Sequence, residues 1–185
     1  TLSRASAASD VYKRQTYREL INGANQYSHW FLDNGLQKGD VVALLMENRP
    51  EFLMAWIGIA QVGGTSALIN TNLTGHPLNH SLSISGASKL ILGKELISNF
   101  ETTDDTVKGS FQVWVEGDIN KQDYNNLGLT LENLSIVMPA IDYDVTNEDV
   151  ALYIYTSGTT GDPKAATITH RLSLIHISEP TRPVP

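Results

Sequence analysis

Between Tyr155 and Lys164 the chain reads YTSGTTGDPK, a stretch that gathers groups able to hold an anion. Thr156, Ser157, Thr159 and Thr160 bring hydroxyls, and Lys164 brings a mobile positive charge. Gly158 and Gly161 permit backbone torsions and close approach that other residues resist. Successive N–H groups in such a loop can turn inward as a concave anion nest. The chemistry this suits is the cradling of a polyphosphate.

The flanking residues must position that loop. Ala151-Leu-Tyr-Ile-Tyr155 is an apolar, β-rich run that predicts a buried strand, and Ala165 to Thr169 predicts a second one. A loop between two strands differs from the Walker loop, whose Gly-x-x-x-x-Gly-Lys-Ser/Thr opens a helix. Lys164 follows Pro163 and stands three residues beyond Gly161, so that pattern is not met. An ordinary glycine-rich turn would need about two of these residues, whereas this stretch specifies nearly all of them.

Upstream, helices and strands alternate. Thr16-Tyr-Arg-Glu19 is a capping box opening a helix with Tyr17, Leu20, Ile21, Ala24, Tyr27 and Phe31 on its apolar face, stopped by Gly35. Val41 to Leu45 is a continuous apolar strand of the kind covered on both faces. Pro50 suits the first turn of a second helix, whose expected core face is Phe52, Leu53, Trp56, Ile57 and Ala60, closed by Gly63-Gly64. Strands are predicted at 65–69, 89–92 and 111–115, with helices at 77–85 and 129–136. The acidic residues from Asp142 to Asp149 read as a solvated connection. The pattern predicts an α/β fold: a largely parallel sheet with helices on both faces. Trp56 reads as packing and His29 as a boundary residue, while His76, His80 and His170 are too scattered for a zinc site. No Gly-x-Ser-x-Gly elbow is present.

The loop and the stretch from Asn48 to Leu92 carry a resemblance. YTSGTTGDPK resembles the signature phosphate loop of the adenylate-forming, or AMP-binding, superfamily of acyl-CoA synthetases, luciferases and peptide-synthetase adenylation domains. Tyr153-Ile-Tyr155, Lys164-Ala-Ala166 and NRPEFLMAWIGIAQVGG from Asn48 are most similar to the very-long-chain acyl-CoA synthetase and fatty-acid transport protein branch. The likeness covers most of residues 16–171 and implies the N-terminal part of an adenylate-forming domain. It also implies ATP-dependent activation of a long- or very-long-chain fatty acid, with Mg²⁺ on the nucleotide and coenzyme A as co-substrate. The implied cofactor-binding residues are Thr156, Ser157, Gly158, Thr159, Thr160, Gly161, Asp162, Pro163 and Lys164, with Lys164 the catalytic counter-charge to the departing pyrophosphate. Asp162 stands where the family usually has an apolar residue, and is expected to face solvent. In family members the Mg²⁺-binding glutamate, the ribose-binding acid and a C-terminal catalytic lysine lie beyond His170. This chain by itself is therefore expected to be inactive. A fatty-acid transporter of the same branch and a nucleotide-binding relative without ligase chemistry remain alternatives.

Both ends read as something else. Residues 10–15, DVYKRQ, can be encoded by GATGTGTATAAGAGACAG, whose reverse complement encodes LSLIHI, residues 172–177. One DNA element in inverted orientation at both termini is the mark of a translated sequencing adaptor, so 1–15 and 172–185 are expected to be adaptor-derived tails. The whole chain has 13 basic and 20 acidic residues; without Arg4, Lys13, Arg14, Arg182, Asp10 and Glu179, 9 basic and 18 acidic remain. No basic stripe survives, which argues against nucleic acid as a partner. With no cysteine there is no disulfide or thiol nucleophile, which is compatible with the cytoplasm. Phe52 to Ser88 carries no charged residue, but Gln61, Gly63-Gly64-Thr65-Ser66 and Asn70-Thr-Asn72 break it short of the roughly 18 apolar residues of a span. Peripheral or anchored membrane association through other regions stays open.

Overall fold

The computed structural model describes residues 16–118, 124–156 and 164–172. The expected tails and the 157–163 part of the phosphate loop lie outside these residues. Helix α1 (Tyr17–Asp33) starts at the anticipated capping box: Glu19 N donates to Thr16 Oγ1 at 3.2 Å, and Thr16 N donates to a Glu19 carboxylate oxygen at 2.7 Å. It ends before Gly35, whose φ of 73° only glycine adopts without strain.

Then follow β1 (Val41–Leu45), α2 (Pro50–Gln61), β2 (Thr65–Leu68), α3 (Gly75–Ser83) and β3 (Lys89–Gly93). Short helices α4 (Ile97–Phe100) and α5 (Asp105–Lys108), strands β4 (Gln112–Glu116) and β5 (Asn125–Asn126), and α6 (Leu127–Leu131) come next. A hairpin of β6 (Val150–Thr156) and β7 (Lys164–Thr169) completes the described chain. The sheet order is β5-β4-β3-β1-β2-β6-β7, parallel throughout except for the antiparallel β6–β7 pair.

Alternation along the central strands builds two cores. Val42 and Leu44 of β1 and Ile91 of β3 face α1, α2 and α6, where they meet Tyr27, Phe31, Ile59 and Leu127. Ala43 and Leu45, with Leu90 and Leu92, face Leu78, Leu82 and Phe100 on the α3–α4 side. A strand buried on both faces needs a continuous apolar run, which is what the sequence supplies. Helices α1 and α2 touch most closely at Gly58, where a Cβ would stand 2.6 Å from Tyr27 Cβ and 2.9 Å from the Ala24 carbonyl oxygen.

Three expectations need correction. The buried face of α2 is Ala55, Gly58 and Ile59; Leu53 is 39% exposed, and Trp56, Ile57 and Ala60 are only partly buried. The helix is apolar almost all round, so periodicity could not tell which face turns inward. At the start of α1, Tyr17 is 88% and Ile21 43% exposed. The expected 129–136 helix is instead α6, drawn forward because Asn126 Oδ1 accepts from Leu129 N at 3.3 Å as its N-cap.

The 132–149 connection is an anchored strap. Asn25 Nδ2 donates to the Ile136 carbonyl at 2.7 Å, and His29 Nε2 lies 2.8 Å from the Val137 carbonyl. Tyr143 Oη donates to the Val62 carbonyl at 2.9 Å. Lys38 Nζ donates to the Asp144 carbonyl at 2.7 Å and pairs with Asp149 at 2.9 Å.

Candidate functional site

The parallel strands end together at one edge of the sheet, and β6 overshoots that edge. Its last residue opposite β2 is Ile154, level with Leu68, yet the strand continues through Tyr155 to Thr156. At about 3.3 Å per residue the hairpin mouth projects roughly 7 Å past β2. At that mouth Thr156 is paired in register with Lys164. The structure thus brings together the first and last residues of the predicted phosphate loop. Ser157, Gly158, Thr159, Thr160, Gly161, Asp162 and Pro163 lie outside the described residues.

Each side of the mouth has a definite environment. Lys164 and the β7 residues after it, Ala165 to Thr167, are exposed, so the ammonium is free to reach an anion. Tyr153 and Tyr155 turn toward the α3–α4 core. Burial, with Tyr153 alongside, pushes the Tyr155 phenol up to about 12, and its Oη finds no hydrogen-bond partner among the described residues. The neighbouring β2–α3 turn is held firmly. Asn99 Nδ2 donates to the carbonyls of Thr71 (3.0 Å) and Leu73 (3.3 Å), and Gly75 N donates to Thr102 Oγ1 at 2.7 Å. A strand-borne anion loop at the carboxyl edge of an α/β sheet, beside a rigid turn, is placed where such folds bind ligands.

A second polar cluster sits farther along the same edge, and the sequence did not disclose it. Arg49, at the end of the β1–α2 turn, donates from Nη2 to the Glu116 carbonyl at 2.9 Å and lies 3.7 Å from a Glu95 carboxylate oxygen. Tyr27 Oη donates to Glu116 Oε2 at 2.8 Å, and Glu95 accepts from Glu47 N at 3.0 Å. Burial raises the Glu116 carboxyl above its usual range, opposed by the Tyr27 hydrogen bond and Arg49. Burial and the adjacent Glu116 raise Tyr27. These residues are too far apart in sequence for spacing to link them. Their arrangement locks α1, the β1–α2 turn and the ends of β3 and β4 together. Among the described residues, no group of three or more His, Asp or Glu side chains is placed to hold a metal ion.

Residues 3–179 match the family model described as "AMP-binding enzyme". The human "Long-chain fatty acid transport protein 1" is 36% identical over 159 residues, covering 84% of this chain and 25% of that protein. "Medium/long-chain-fatty-acid--CoA ligase FadD6" of Mycobacterium tuberculosis is 32% identical over 156 residues, again 84% of this chain and 25% of that protein. The anthranilate CoA ligase AuaEII, solved in complex with anthranoyl-AMP, superposes with a TM-score of 0.77 at 25% identity, over 86% of this chain and 31% of that one. The N-terminal domain of FACL13 from Mycobacterium tuberculosis gives a TM-score of 0.71 at 31% identity, over 85% and 38%. The chain therefore spans about a quarter of the length of these curated relatives.

Proposed function

The chain belongs to the AMP-binding enzyme family, and from that membership we propose that its full-length form is an ATP-dependent long- or very-long-chain fatty acyl-CoA ligase. The observation that carries this reading is the β6–β7 hairpin, which pairs Thr156 with Lys164 across the ends of the TSGTTGDPK stretch. A fatty-acid carboxylate attacks the α-phosphorus of ATP, the bond to the β-phosphate oxygen breaks, and pyrophosphate leaves. Coenzyme A sulfur then attacks the acyl-adenylate carbonyl, and AMP departs as the thioester forms.

Negative charge grows on pyrophosphate during the first step, so donors fixed around its oxygens stabilise the transition state. Thr156, Ser157, Thr159 and Thr160 supply hydroxyls in this reading, Gly158 and Gly161 the close backbone approach, and Lys164 the positive charge. Asp162 faces solvent, away from the phosphates, and Pro163 leads into Lys164. Mg²⁺ arrives with the nucleotide as part of the substrate and neutralises phosphate charge. By itself the 185-residue chain is inactive, because it corresponds to about a quarter of its relatives.

Pyrophosphate exchange in the full-length protein tests the assignment. Lys164→Ala should lower the exchange rate by about 10²-fold or more, and an unchanged rate would remove Lys164 from the mechanism. A second reading, fatty-acid transport, draws on the printed name of the human relative. No helix among the described residues is long and apolar enough to cross a membrane. Fatty-acid uptake by cells producing the full-length Lys164→Ala protein separates the two readings: transport that survives lost adenylation favours the second.

A further inference from the structure

Helix α2 has a second apolar face that the described fold leaves open. Between Pro50 and Gln61 only Glu51 and Gln61 are polar. A helix apolar around its whole circumference is one buried on more than one side. One side is buried through Ala55, Gly58 and Ile59. On the other, Leu53, Trp56, Ile57 and Ala60 line a cleft of about 540 Å³, with Met138 among the residues facing them. The strap presents this lip outward: its Ile136 and Val137 carbonyls are held by Asn25 and His29, and Ile136, Val137 and Met138 stand 53%, 69% and 52% exposed. A contiguous apolar surface of this kind marks an interaction site.

Two observations say what covers it. Strand β7 ends at Thr169, and His170, the next residue, lines the same cleft, so the chain leaves the described fold at this place. The matched relatives are far longer, the chain covering 25% of the human transport protein and 31% of the anthranilate ligase. We propose that the α2–strap cleft is the seat of the polypeptide that follows Arg171 in a chain of full family length. The lining carries no Asp, Glu, Lys or Arg among the described residues, which suits an apolar segment. His170 Nε2 is buried with no partner among the described residues, so the segment brings one hydrogen-bonding group opposite it. The cleft is then an internal seam of the whole protein.

Because the chain has no cysteine, single thiols can be placed and followed by peptide-mapped labelling. Ile57→Cys and Met138→Cys report on the cleft, and Ser83→Cys, exposed on α3, reports on the opposite face. In the 185-residue chain, both cleft thiols should react in step with Ser83→Cys. In the full-length protein they should react at least about tenfold more slowly at every protein concentration, while Ser83→Cys keeps its rate. Equal rates in the two lengths would overturn the proposal. Protection of the short chain that grows with its concentration would assign the cleft to a second copy. Protection of the full-length protein only after palmitate is added would assign it to a ligand. Either of these also overturns the proposal.

Discussion

Strands β1 and β7 belong to one sheet but live in different surroundings. Val42 to Leu45 are at most 1% exposed and covered on both faces, whereas Lys164 to Thr167 at the far edge are exposed. The first region has no side chain able to do chemistry, and the second has few contacts to lose. Stability and reactivity are therefore separated along the sheet, so a substitution in one region should register in a measurement that the other ignores.

The largest stability effect should come from the centre. Leu44→Ala removes a fully buried side chain and should cost about 2–5 kcal/mol in urea denaturation; a loss under about 1 kcal/mol would mean that the central strands are not the core. Tyr27→Phe comes next. It takes from Glu116 a buried donor and should cost about 1–3 kcal/mol, measured in the same way. Glu116→Gln tests the cause of that effect and has a defined sign. Burial raises the Glu116 carboxyl, so its contribution to stability is complete below the ordinary glutamate value and fades as pH rises through the raised one. Glutamine still accepts from Tyr27 and carries no charge. The variant should therefore gain in Tm relative to the wild type as pH goes from about 5 to about 8, and parallel curves would count against a strained carboxylate.

Asp149 has the opposite sign. The Lys38 ammonium and then the Thr146 N–H hold its carboxyl down at about 2. Its contribution is present above the ordinary aspartate value and is lost as pH falls toward that figure. Asp149→Asn should lower Tm slightly at neutral pH, with the difference closing in acid. The smallest expected change is Lys164→Ala, within about 0.5 kcal/mol in denaturation, although the same substitution should cripple pyrophosphate exchange. A large loss of stability there would erase the contrast between the two strands.

Much of the fold was legible because the signals are local. Thr16 and Glu19 form one capping box, the run from Val41 to Leu45 can only be an interior strand, and Gly35 takes a positive φ. The two strands flanking the loop could be read from their composition, and so could the position of Lys164 at the start of the second. What escaped depends on partners remote in sequence. Nothing near Arg49 announces that it will meet Glu95 and Glu116, and nothing near Asn25 announces the Ile136 carbonyl. The inward face of α2 escaped for another reason: Leu53 and Ile59 are equally apolar, and only the close approach at Gly58 decides which is buried.

The register that joins β2 to β6 carries a kinetic consequence. Strands β1, β2 and β3 can associate from one continuous stretch of chain, but Ser66 must await Leu152 before its outer flank is satisfied. Such distant pairing closes a long loop and is slow. During synthesis on the ribosome the three-strand nucleus can mature first, and the nucleotide-handling hairpin docks as a late event on a platform already formed.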